Sequence, residues 1–328
     1  MKGTVLLVAA SLSAAARPSV AEDSLERLRS AVSTVVAGAE GEVGVAIEHL
    51  ESGQSIEVNG GTRFPMASTF KIAILVELFR QVDEGKIRLD EMVSLESGDI
   101  HIGSGELNEF LVPGIALSVE NLARLMMRVS DNSATDLLME KVGVENINRR
   151  LAALGVDGIS VDRTCQRLIL DWLGMEPSKT SGMSYQEIQD FLNAYQPAPG
   201  ELDGAASAFE KDPRDTATPL AMNRLLRSIF RGEAASEPSC RRMTEILLEC
   251  ETGKNRLKGL LPGDVRVAHK TGTLGGTVNN VGILYLPEGR GHVAVSVLSK
   301  GMKDRDKAER AIAEIARYAY DYFVFLAP

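Results

Sequence analysis

Aromatic residues are scarce in this 328-residue chain, 5% of the total with a single tryptophan, and there are only three cysteines (Cys165, Cys240, Cys250). Three thiols allow one internal bridge at most, which excludes a disulfide scaffold. Cys240 and Cys250 share one helical stretch, where ten residues span ~15 Å, too far for a bond unless a turn intervenes. Buried free thiols are expected. The four histidines (His49, His101, His269, His292) show no HxxxH spacing and no cysteine pair beside them, so no metal is expected. Positive charge is in deficit: a net charge of −9 and a pI near 5.2 argue against nucleic acid or an anionic membrane as the main partner. Repeats and low-complexity tracts are absent.

No apolar run is long enough to span a bilayer comfortably. The nearest, Thr4–Ala16, follows Lys2 and precedes the small residues Ser19-Val20-Ala21. That is the pattern of a signal peptide over residues 1–21, cleaved before Glu22; a retained anchor is the alternative. The expectation is an exported protein, periplasmic or secreted, with one domain over 22–328.

What is present centres on Phe64–Phe79, FPMASTFKIAILVELF. After Ser68, apolar residues fall on every side of the helical wheel (Phe70, Ile72, Ile74, Leu75, Val76, Leu78, Phe79), so a helix here must be buried all round. Ser68 and Lys71 are three apart and share one face. A lysine desolvated in an apolar site has a lowered pKa and can take the proton that makes a serine hydroxyl nucleophilic. Ser68 also sits near the helix start, where free backbone N–H groups favour a developing oxyanion.

Around this stretch, Ser24–Ala37 has helical spacing and Glu42–Leu50 alternates, leading through Glu51-Ser52-Gly53-Gln54 to Ser55–Val58 as a hairpin. Ser118–Gly143 is helical in two pieces parted by Ser130-Asp131-Asn132, and Val144–Gly155 adds a short helix. Residues 180–215 are rich in Gly, Pro and Ser around a helical island at Ser184–Tyr195. Pro219–Arg231 and Ser239–Glu249 are helical, and the period then changes to that of strands at Val265–Val267, Val281–Leu286 and Val293–Val297. Asp304–Phe325 closes as a long helix. The fold class expected is α+β, an antiparallel sheet flanked by the terminal helices plus an all-helical lobe.

Lys270-Thr271-Gly272-Thr273 falls on or just before a strand, offering a cation, two hydroxyls and a glycine that admits close approach. SxxK at Ser68–Lys71, Ser-Asp-Asn at Ser130–Asn132 and Lys-Thr-Gly at Lys270–Gly272, in this order, resemble the motif trio of class A β-lactamases and penicillin-binding proteins. Arg214-Asp215-Thr216-Ala217-Thr218-Pro219 resembles the segment that closes that family's omega loop. The resemblance covers the chain from about Ser24 onward and implies a β-lactamase/transpeptidase-like fold. Ser68 is then the acylated nucleophile, Lys71 its proton partner, and Ser130 the relay to the leaving nitrogen. Asn132 holds the substrate's side-chain amide, while Lys270 and Thr271, with Gly272 and Thr273 beside them, bind its carboxylate. The backbone N–H groups of Ser68 and Thr273 form the oxyanion hole. The implied partner is a small β-lactam or cell-wall-like acyl substrate, taken by a monomer, and no cofactor is implied.

The chain departs from the family after Val161-Asp162-Arg163. Where the family carries Trp-Glu-x-x-Leu-Asn, this chain has Thr164-Cys165-Gln166-Arg167-Leu168-Ile169. Cys165 stands in place of the glutamate that activates the deacylating water, and Ile169 replaces the asparagine. The loop, 164–213, is longer than the family's. Glu176, Glu187, Glu201, Asp203 and Glu210 within it are the candidate replacements, and Arg163 is expected to pair with Asp215 across its neck. No arginine lies between Lys270 and Leu286, so any further carboxylate anchor comes from elsewhere. Three activities stay open: hydrolysis of β-lactam amides, an esterase or peptidase on the same site, and a penicillin-binding sensor that deacylates slowly.

Overall fold

The computed structural model of the protein describes residues 20–110 and 114–327. The predicted signal peptide falls almost wholly on residues 1–19, outside the described residues. Helix α1 (Val20–Ala37) begins earlier than the expected Ser24 and buries Leu28 and Val32. β1 (Glu42–His49) and β2 (Ser55–Val58) form the expected hairpin, with Val45 opposite Val58 and Glu48 opposite Ser55. A two-residue strand, β3 (Phe64–Pro65), leads into a 3-10 turn over Ala67–Phe70 and then α2 (Lys71–Asp83). The single helix expected from Ser68 is therefore a tighter turn joined to an α-helix. Ile72, Ile74, Leu75, Val76 and Leu78 of α2 are fully buried, as a helix without a polar face requires.

β4 (Met92–Ser94) pairs with β5 (Ala116–Ser118), a short ladder without a sequence signal of its own. α3 (Val119–Arg128) is capped by Ser118, whose Oγ accepts the Asn121 N–H, and α4 (Asn132–Val142) by Asp131, which accepts the Ala134 N–H. α5 (Val144–Ala153) follows. The long loop is itself helical: α6 (Cys165–Trp172), α7 (Pro177–Thr180), α8 (Tyr185–Ala194) and α9 (Glu201–Lys211). Of these, α8 alone matches a sequence expectation. Leu170, Met175 and Ile188 form a small apolar cluster with Ile102, so the insertion carries a core of its own.

β6 (Thr216–Ala217) pairs back to β3, and α10 (Pro219–Phe230) and α11 (Glu237–Leu248) follow. Then come β7 (Val267–Leu274), β8 (Thr277–Tyr285), β9 (His292–Lys300) and α12 (Arg305–Asp321), which ends in a π-helical turn over Tyr322–Leu326. The sheet is antiparallel, in the order β2-β1-β9-β8-β7. Alternation along β9 explains its two layers: Val293, Val295 and Val297 pack under α1 and α12, while Ala294 and Leu298 face the helical lobe. Both faces are covered, so the polar side chains that these strands carry, among them His269, Asn279, Asn280 and Ser296, are buried. The expected α+β architecture is the one observed, and it leaves β7 as an edge strand beside the helical lobe.

Candidate active site

Three segments meet at the junction of sheet and lobe: the 3-10 turn carrying Ser68, the α3–α4 junction, and β7. The turn is held by Met66, whose N–H donates to Asp215 O and whose carbonyl accepts from Thr69 N–H and Asn279 Nδ2. Gly272 is required by this contact, because a methyl group there would lie 2.4 Å from Met66 O and 3.1 Å from Ser68 N. Lys-Thr-Gly thus sits inside the strand. Ala67 and Ser130 adopt φ of 43° and 63°, the left-handed region that non-glycine residues occupy at a cost. Both strained residues adjoin the reacting atoms.

Ser68 is half-buried, whereas Lys71 is fully buried. Lys71 Nζ donates to Ser130 O (2.7 Å), Asn132 Oδ1 (2.9 Å) and Ser130 Oγ (3.1 Å). Burial lowers its pKa, against nearby Cys165, Asp136 and Asp131. No hydrogen bond joins Ser68 Oγ to Lys71, since all three ammonium protons are committed to Ser130 and Asn132. Ser130 Oγ also accepts from Lys270 Nζ at 3.0 Å, so one hydroxyl bridges two buried lysines. Burial brings Lys270 down to about 7. Asn132 Nδ2 donates to Ile102 O at 2.8 Å, which fixes its amide orientation.

A cavity of about 290 Å³ opens from Ser68 toward α6, walled by Phe70, Asn132, Cys165, Leu168, Ile169 and Thr273, among others. None of its lining residues is a carboxylate. The Cys165 thiol lies against Lys71, and burial keeps it protonated. Its backbone N–H donates to Asp136 Oδ1 at 2.6 Å, and His101 Nδ1 lies 2.6 Å from Asp136 Oδ2. The proposed glutamate substitutes do not reach this cavity. Glu187 caps α8 through Ser184, Glu201 accepts from the Tyr195 hydroxyl, Glu210 accepts the Gly301 N–H, and Glu176 and Asp203 are solvent-exposed. Glu187 and Glu201 serve the helices of the insertion, and Glu210 ties the insertion to the end of β9.

Arg163 Nε and Asp215 Oδ2 close the neck of the insertion at 2.5 Å, as expected, with Asp171 and Asp212 also on Arg163. Sequence reasoning missed Arg256. It comes from the loop between α11 and β7, is almost fully buried, and donates to Thr273 Oγ1 (2.7 Å), Asn279 O (2.8 Å) and Gly272 O (3.2 Å), with Glu309 as counter-ion. One arginine among neighbouring lysines in an irregular loop has no periodicity to mark it.

A strained serine turn, two buried lysines sharing a second serine, and a glycine-bearing edge strand define a serine hydrolase. The chain belongs to the beta-lactamase enzyme family, whose model matches residues 27–323. It is 26% identical over 309 residues to a beta-lactamase of Bacteroides uniformis, covering 90% of this chain and 91% of that one. The beta-lactamase of Sphaerobacter thermophilus superposes with a TM-score of 0.72 at 29% identity, covering 91% of this chain and 98% of the other. An ancestral class A beta-lactamase gives 0.70 at 30%, covering 89% and 98%. The class A resemblance read from the motif trio is thereby established.

Proposed function

We propose that the protein opens the amide of β-lactam rings through an acyl-enzyme on Ser68. The observation that carries this is Ser130 Oγ held between Lys71 Nζ and Lys270 Nζ, at the junction where the Ser68 turn, α4 and β7 meet. Lys71, with its pKa lowered by burial, gives up one proton and becomes the base for Ser68 Oγ as it attacks the lactam carbonyl carbon. The tetrahedral oxyanion is held by the N–H groups of Ser68 and Thr273. As the C–N bond breaks, Ser130 passes its proton to the leaving nitrogen and is reprotonated from Lys71. Lys270 and Thr271 take the substrate carboxylate, with Gly272 admitting it to the strand. Arg256 donates to Thr273 Oγ1, so that hydroxyl directs its own proton outward toward the same anion. Asn132 holds the acyl side-chain amide.

Water must then release the acyl group. A protonated thiol at Cys165 and an apolar Ile169 replace a base and its partner, so deacylation is the slow half of the cycle. That observation favours a second reading, a penicillin-binding sensor, over a general esterase or peptidase. Intact-protein mass spectrometry after mixing with a penicillin, with product absorbance followed in parallel, separates them. A transient adduct with product supports the β-lactamase reading. A lasting adduct without product supports the sensor, and no adduct with either a penicillin or a cephalosporin overturns both.

The proposed place of work is outside the cytoplasm, supported by the Lys2, Thr4–Ala16 and Ser19–Ala21 pattern. Among the described residues no helix is long and apolar enough to cross a membrane. N-terminal sequencing of the exported protein should begin at Glu22. The chemistry draws on this chain's own side chains and backbone, and we read it as metal-independent and monomeric, with resistance to β-lactams as its consequence for the cell.

A further inference from the structure

Behind the carboxylate-binding strand lies a polar chain, buried at both ends and half-buried at its middle, that joins Thr271 to a thiol the mechanism above does not use. Cys250 Sγ is 3.3 Å from Thr252 Oγ1, and Thr252 Oγ1 is 2.6 Å from Thr271 Oγ1. Cys250 and Thr271 are both buried. On the far side, His269 is fully enclosed, and its tautomer follows from its neighbours. Asn280 Oδ1 accepts the Leu257 N–H, while Asn280 Nδ2 donates to Lys270 O at 3.0 Å and faces His269 Nδ1 at 3.1 Å. An amide nitrogen can only donate, so His269 Nδ1 accepts and the ring's proton sits on Nε2. That Nε2 has no hydrogen-bond partner, and the ring neighbours the Cys250 thiol.

We propose that Cys250, acting through Thr252, is a positioning residue that decides whether the Thr271 hydroxyl donates outward to a substrate carboxylate or inward. The reason is proton counting along three atoms. A thiolate can only accept, so it takes the Thr252 proton. Thr252 Oγ1 must then accept from Thr271, whose hydroxyl turns lone pairs toward the substrate. A thiol can donate to Thr252, which donates to Thr271, which donates to the carboxylate. Binding of an anionic substrate thus draws one proton from solvent onto Cys250.

Other titratable and charged groups bear on the same sulfur: His269 and Lys270 on β7, Arg256 and Lys258 in the loop before it, and, through Arg256, Glu309 on α12. Lys71 and Cys165 face Lys270 across the cleft. Burial would raise the Cys250 thiol, but its neighbours His269, Lys270 and Thr252 outweigh it and bring it to about 6. Cys165 and Cys240 are both pushed up by burial, so a thiolate that titrates near neutrality belongs to Cys250.

The inference rests on the carboxylate-binding role proposed for Thr271, and two readouts keep its failure distinct from a failure of that role. The first is the ultraviolet thiolate absorbance of the free full-length protein against pH, which needs no substrate. Its midpoint should lie near 6 and move upward in Thr252→Val, which removes one donor to the thiolate; an unmoved midpoint overturns the relay. The second is the rate of acylation by a penicillin from pH 5.5 to 8, compared with the same penicillin as its methyl ester. The acid should lose roughly tenfold above the thiol's midpoint, the worth of one charge-assisted hydrogen bond. Cys250→Ser should abolish that step while keeping the later loss that belongs to Lys270. The same step in Cys250→Ser, or in the methyl ester, overturns the inference. Failure of the wild-type protein to acylate overturns the proposed function, and the thiolate titration still decides the relay.

Discussion

Ser130 Oγ lies 3.1 Å from Lys71 Nζ and 3.0 Å from Lys270 Nζ, so two amines that repel one another share one acceptor in a site closed to water. That arrangement has a cost in stability, and its sign can be worked out. Folded Lys270 gives up its proton near pH 7, whereas an unfolded lysine does so near ~10.4. Between these values the unfolded chain holds more protons, so this residue makes stability rise with pH from 7 to 10. In Lys270→Met the denaturation midpoint should depend less on pH across that window; an unchanged slope would count against a depressed lysine. Cys165 carries the next prediction. Replacing it by glutamate puts a carboxylate against Lys71, and the adduct lifetime should shorten by ~10²–10⁴, the range for a positioned general base. An adduct equally long-lived in Cys165→Glu, in protein that still melts cooperatively, would refute the assignment of slow deacylation to this position. Gly272→Ala should suppress acylation severely, since its methyl group collides with Met66 O. Ser68, Lys71, Ser130, Asn132 and Lys270 were legible because each sits in a short motif. Arg256 was not, because its role arises from a tertiary contact with Thr273.

At the scale of elements, the 164–213 insertion hangs from one neck. Arg163 and Asp215 are both buried, and Asp215 Oδ1 also accepts the Asp162 and Arg163 N–H groups at 2.7 and 3.1 Å. Removing one partner of a buried ion pair leaves an uncompensated charge, at about 3–5 kcal/mol. Arg163→Ala should therefore lower the melting temperature and open 164–213 to limited proteolysis before the rest of the chain; resistance equal to the wild type would argue that the helices hold themselves. Of those helices, α8 was legible from its Ser184 cap and its apolar spacing. α6 is eight residues long and places Leu168 and Leu170 toward different clusters, while α9 is rich in glycine and alanine. Neither shows one apolar stripe, so periodicity could not find them. The same holds for the two-residue strands β3 and β6, which form only because the segment leaving the neck lies beside the segment entering the Ser68 turn.

For the whole molecule, the groups proposed to act on substrate come from both layers: Ser68, Lys71, Ser130 and Asn132 from the helical lobe, Lys270–Thr273 from the sheet's edge. An acyl group on Ser68 that reaches the edge strand links the two through contacts made in the folded state alone, so acylation by a penicillin should raise the melting temperature. No rise in protein shown to be acylated would mean that the acyl group does not bridge the lobes. The sequence alone determined the sheet, the all-round burial of α2 and the order of the three motifs, because periodicity and short-range spacing are properties of neighbouring residues. It also determined that Cys165 occupies the glutamate's place. Only the tertiary structure decided that no carboxylate of the insertion takes over from that glutamate, that Arg256 stands behind Thr273, and that Cys250 reaches Thr271 through Thr252. These contacts join residues far apart in sequence or on facing elements, and nothing local to any one of them records where the others come to rest.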